Sequence, residues 1–123
     1  MWEKLISEVW EIILAKHKKD KLMEKYVIFE GIQNKGNKLD FYLEMMIKTY
    51  LISNLSLWSG VRAMLDSRVW YNRFNMLAFY SALKQVAQLK KEQKSARSVA
   101  ENARINGALK QLYAQCTKYL DIV

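Results

Sequence analysis

The single histidine, His17, and the single cysteine, Cys116, are the side chains with the widest chemical range in the sequence, and neither has an evident partner for catalysis. His17 lies in the run Lys16-His17-Lys18-Lys19-Asp20-Lys21, where only Asp20 could orient an imidazole, so an exposed spacer is expected. Cys116 falls on an apolar stripe with Ile105, Ala108, Leu109, Leu112, Tyr113 and Leu120, the usual place of an inert core thiol. One histidine and one cysteine cannot make a zinc site. The acid pairs Glu8/Glu11 and Asp40/Glu44 suit helix surface or capping better than an acid and base couple. The segment GIQNKG lacks both the Lys-Ser/Thr and the preceding strand of a phosphate-binding glycine loop. No enzymatic activity, metal or cofactor is expected.

What remains is electrostatic chemistry. Twenty Lys and Arg against twelve Asp and Glu give a formal charge of +8, which points to an anionic partner such as nucleic acid or an acidic protein face. The charge is segregated: residues 1–15 carry a net −2, residues 16–38 a net +4, residues 39–66 a net −1 and residues 67–123 a net +7. With helices running alternately up and down, the loop at 31–38 and the connection at 90–95 share one end. That end gathers Lys35, Lys38, Lys90, Lys91 and Lys94. Lys90, Lys94, Arg97 and Arg104 also repeat at helical spacing and could track a phosphate backbone, with Glu101 diluting the stripe. Contacts made mostly by lysine predict salt-dependent binding of RNA or DNA with low sequence specificity. The basic and aromatic mixture Trp70, Tyr71, Arg73, Phe74 could stack bases, but helical spacing places Trp70 and Phe74 in the core and leaves Tyr71 and Arg73 outside.

The elements that must hold these residues are helices. There is no proline, only four glycines occur, and 51% of residues are hydrophobic, which fits long helices joined by short connections. The length suits one domain spanning 1–123. The expected architecture is an all-α, four- to five-helix up-down bundle around a central helix at about 39–65, whose apolar residues point nearly all round. Before it, Trp2, Leu5, Ile6, Val9, Trp10 and Ile13 mark a helix with one buried face. The pattern lapses at Lys16–Lys21, where the helix either continues solvated or breaks, and resumes at Leu22, Met23, Tyr26, Val27 and Phe29. GIQNKGNK, residues 31–38, is the clearest loop. Gly60 marks a close crossing or a bend, and Asp66-Ser67 is a cap for a third helix over 69–89. The last helical set follows, and Asn106-Gly107 is a point at which it could split.

The charged residues Glu44, Lys48 and Arg62 interrupt the central stretch, so integral membrane insertion is not expected. A lone cysteine and the absence of a cleavable leader pattern suggest a cytoplasmic setting. Two functional classes follow. The first is a non-enzymatic accessory factor that binds nucleic acid or joins a nucleoprotein assembly through Lys35, Lys38, Lys90, Lys91, Lys94, Arg97 and Arg104. The second is a protein-interaction module, either a homo-oligomeric bundle or an inhibitor docking on an acidic partner. Peripheral binding to a membrane surface is a weaker third.

Overall fold

The computed structural model describes the backbone of residues 2–122 and the side chains of Lys4 and residues 6–122. The chain is all-α, with five helices and no strand among the described residues. These are α1 (Trp2–Tyr26), α2 (Lys38–Ser53), α3 (Val61–Met64), α4 (Arg73–Ser95) and α5 (Val99–Leu120), with single 3₁₀ turns at Phe29–Gly31 and Val69–Tyr71.

The caps follow side-chain chemistry. Asn37, Asn72 and Ser98 each accept a hydrogen bond from a backbone N–H three residues on, starting α2, α4 and α5. The third long helix therefore starts at Arg73, and Asp66-Ser67 instead precedes the 3₁₀ turn, where Ser67 Oγ accepts from the Val69 N–H. Gly107 does not split α5, which runs unbroken through it.

The helix expected over 39–65 is divided. It stops at Ser53, where the Asn54 side chain donates to the Tyr50 carbonyl and its backbone N–H to Leu51. Such side-chain bonds compete with the helical ladder, and Ser56, Ser59 and Gly60 extend the interruption. Trp58 then folds back so that its ring covers Gly60, where a Cβ would lie 2.4 Å from the indole. The close approach expected of Gly60 is thus to an aromatic ring two residues away.

α4 and α5 form an antiparallel hairpin: Phe79 meets Tyr119 near one end, and Gln93 meets Asn106 near the other. α2 and α4 run the same way instead. Asp40 pairs with Arg73 at their starts, Tyr50 packs on Tyr80 midway, and Leu57, beyond the end of α2, meets Lys90. The segment 54–72 carries the chain back along the bundle to make this possible. α2, α3 and the inner faces of α4 and α5 enclose the core, which includes Ile47, Leu51, Trp58, Val61, Met64, Trp70, Met76, Phe79, Leu83 and Cys116. A second cluster of Val86, Ile105 and Leu109 fills the far part of the hairpin.

α1 is continuous through Lys16–Lys21, which form a solvated stretch of helix. It docks through Leu22 and Tyr26, with Met23 and Val27 partly buried beside them. The expected burial of its first half does not occur: Ile6, Val9, Trp10 and Ile13 are all exposed, as are Ile12 and Leu14. Trp2 and Leu5, the remaining members of that stripe, lie outside the described side chains.

Candidate polyanion-binding groove

Three lysines line a groove of about 340 Å³ where the end of α2 meets the late turns of α4. Its walls are Ser53, Asn54, Ser56 and Leu57 from the interrupted segment, and Ala87, Lys90, Lys91 and Lys94 from α4. The polar side chains of these residues are ammonium, hydroxyl and amide groups, with no carboxylate among them. The three α4 lysines fall at 90, 91 and 94, a spacing that keeps them on one side of a helix.

The lysines differ in what they do. Lys90 donates to the Leu57 carbonyl at 2.6 Å, reaches the Ser56 carbonyl at 3.4 Å, and lies over the Tyr113 ring. It satisfies carbonyls in the turns after α2 and is partly committed to the fold. Lys91 and Lys94 are exposed, as is Arg97 in the link to α5, and none of the three forms an ion pair among the described residues. Arg104 faces Glu92 at 3.8 Å, across the hairpin.

The expected lysine cap does not assemble. Lys35 lies over Phe29 and Lys38 over Tyr42, both near the start of α2, where Asp40 holds Arg73. Lys90 sits seventeen residues along α4 from Arg73, about 25 Å at 1.5 Å per residue. The two groups therefore occupy opposite ends of the α2–α4 pair. Alternating helices would bring them to one end, whereas α2 and α4 are parallel. Of the aromatic and basic cluster, Trp70 is buried and Tyr71 exposed as expected, but Phe74 is 80% exposed and Arg73 is half-buried by its pairing with Asp40.

Glu44 and Lys48, which interrupt the apolar run of α2, are both fully buried and paired with each other. Glu44, expected on the helix surface, also accepts from the Gln33 and Asn34 backbone N–H groups and from Asn34 Nδ2. Lys48 donates to the Gly31 carbonyl and lies over the Trp70 and Tyr26 rings. Burial lowers the pKa of Lys48, while its bond to Glu44 opposes that shift. An acid and a base four residues apart inside an otherwise apolar helix were the available signal for this pair. Beside it, Tyr26 donates to Asp66 at 2.6 Å, and burial followed by that bond raises the pKa of the phenol.

Cys116 is buried, and desolvation pushes its thiol up to about 11, so little thiolate exists near neutral pH. His17 is exposed on α1. Among the described residues no three His, Cys, Asp or Glu side chains converge to hold a metal, and no helix is long and apolar enough to cross a membrane.

No curated protein and no solved structure shows a significant match to this chain. One family model does match, over residues 3–116, and the chain therefore belongs to the family described as domain of unknown function DUF4391.

Proposed function

We propose that the protein is a non-enzymatic, cytoplasmic factor that binds the phosphate backbone of RNA or DNA through the groove at the end of α2 and α4. Its phosphate ligands in the groove would be Lys91 and Lys94, with Ser53, Asn54 and Ser56 as neutral donors and the exposed Arg97, beyond the groove in the link to α5, as a further contact. One observation carries the reading: the groove joins three lysines to hydroxyl and amide donors with no carboxylate among its lining residues. Phosphate contacts of this kind position a polymer without reading its sequence. Lys35 and Lys38, near the start of α2 at the other end of the α2–α4 pair, are left out of the proposed surface.

The test is fluorescence anisotropy with generic duplex DNA and single-stranded RNA across a salt series. About three phosphate contacts on duplex DNA predict a slope of log affinity against log salt near −3. Lys91→Glu with Lys94→Glu should abolish binding, while Lys35→Glu with Lys38→Glu should alter it only slightly. Failure of the native protein to bind either polymer at low salt would remove the proposal.

A further inference from the structure

The first half of α1 presents an apolar surface that its own molecule does not cover. Ile6 is 65% exposed, Trp10 60% and Ile12 69%, and Val9, Ile13 and Leu14 are each about half exposed. Ile6, Val9, Trp10 and Ile13 follow the three- and four-residue steps of a helical stripe. A contiguous stripe of this kind on the surface of a folded chain marks an interaction site.

The stripe cannot be satisfied by rotating α1 on its own body. Ile13 and Leu22 are nine residues apart, or two and a half turns at 3.6 residues per turn, which places them on opposite faces of one helix. Leu22 and Tyr26 are the residues buried against the core. α1 is unbroken from Trp2 to Tyr26, so while one end is docked the stripe faces outward.

The charge along the same helix indicates what covers it. Residues 1–15 carry a net −2, whereas residues 16–25 carry five lysines against Asp20 and Glu24, a net +3. A second α1 laid alongside in the same direction would oppose lysine run to lysine run. Laid in the opposite direction about a centre near Trp10, it carries the two lysine runs to opposite ends of the pair, with Lys16–Lys19 of each copy alongside residues 1–4 of the other, and pairs the two helix dipoles head to tail. Such a contact uses the same patch on both molecules and closes as a two-fold dimer.

We infer that the exposed stripe of α1 is a self-association surface, occupied by α1 of a second copy in antiparallel orientation and centred near Trp10. The groove at the end of α4 takes no part in this contact. A dimer would present two such grooves, but the interface stands whether or not they bind polyanion.

Sedimentation equilibrium of the full chain tests the inference. Twice the 14.5 kDa chain mass is expected at tens of micromolar, falling towards the monomer on dilution. Val9→Glu with Ile13→Glu should give a monomer whose helicity and melting temperature match those of the native chain diluted to monomer, because neither side chain is packed on the body. Orientation is read by disulfide trapping in a Cys116→Ala background. Val9→Cys should cross-link rapidly, and His17→Cys should not, because antiparallel pairing separates the two copies of residue 17 by about 20 Å along the axis. A chain that stays monomeric at high micromolar concentration would overturn the inference. So would a dimer indifferent to Val9→Glu with Ile13→Glu, or equal trapping at both positions. A monomer whose stripe instead binds phosphatidylcholine–phosphatidylglycerol vesicles would reassign it to a lipid surface.

Discussion

Glu44 and Lys48 form an ion pair with no solvent exposure on either side chain, one turn apart on α2. The pair is tolerable because the remaining polar capacity of both groups is used. Glu44 takes three further N–H bonds from residues 33 and 34, and Lys48 reaches the Gly31 carbonyl. The pair thus fastens the loop after α1 to α2, while Asn34 extends the network to the Trp70 carbonyl. Removing one partner leaves a buried charge uncompensated, which costs about 3–5 kcal/mol. Lys48→Met should therefore lower unfolding free energy by that amount in urea denaturation. Lys48→Met combined with Glu44→Gln should cost less than the two single changes added together, because the second substitution removes the stranded charge.

Glycine contacts predict opposite outcomes at two sites. At Gly60 a Cβ would meet three Trp58 ring carbons between 2.4 and 2.8 Å, whereas at Gly107 it would meet nothing within 4 Å. Gly107 lies inside α5 and is exposed, so Gly107→Ala should stabilise by about 0.5–1 kcal/mol through helix propensity. Gly60→Ala should destabilise, since the buried Trp58 ring must shift. Thermal melting of the two variants should show a rise for the first and a fall for the second.

These contrasts show how much was legible in the sequence. The helical spacing of Ile105, Leu109 and Cys116 correctly marked the buried face of α5. The glycine- and asparagine-rich loop also fell where expected. The break after Ser53 was hidden because Leu55, Leu57 and Trp58 prolong the apolar pattern even though the backbone has left the helix. Periodicity cannot distinguish a stripe that meets the core from one that meets solvent, which is why Ile6, Val9 and Ile13 were expected inside. It also carries no information about helix direction. The lysine groups came apart because the 54–72 segment returns the chain along the bundle, a tertiary arrangement set by Trp58, Met64 and Trp70 packing.

The buried thiol predicts a loss of stability in alkali. Desolvation holds the Cys116 pKa at about 11 in the folded chain, against an ordinary value of 9.0. The unfolded chain therefore loses this proton first, so the contribution is fully present below pH 9 and is lost as pH rises through 11. A two-unit difference corresponds to about 2–3 kcal/mol. Tyr26 and Tyr50, also raised chiefly by burial, act in the same direction, while lowered Lys48 acts in the opposite one as pH approaches 10.5. The thiol's share is isolated by comparing the native chain with Cys116→Ala. Between pH 8 and 11 the variant should lose about 2 kcal/mol less, its packing cost being the same at both values. A disulfide reagent at pH 8 should label one thiol in denaturant and almost none in the folded protein.

Stability and polyanion affinity separate the lysine that holds the fold from those offered to a ligand. Lys90 donates to the carbonyls of Leu57 and Ser56, which follow α2 and have left its hydrogen-bond ladder. Lys90→Met keeps the aliphatic stem but leaves the partly buried Leu57 carbonyl short of a donor, at a cost of about 1–2 kcal/mol. Lys91→Met and Lys94→Met remove exposed ammonium groups with no bond to lose, so their unfolding free energies should stay within about 0.5 kcal/mol of the native value. Polyanion affinity should show the complementary pattern, with each of the latter two substitutions reducing the salt slope by about one. Equal stability losses at all three positions would mean that the whole cluster serves the fold. Chemical denaturation and salt-dependent anisotropy on the same three variants distinguish these outcomes, because the first reads the Leu57 contact and the second reads the charge facing the groove.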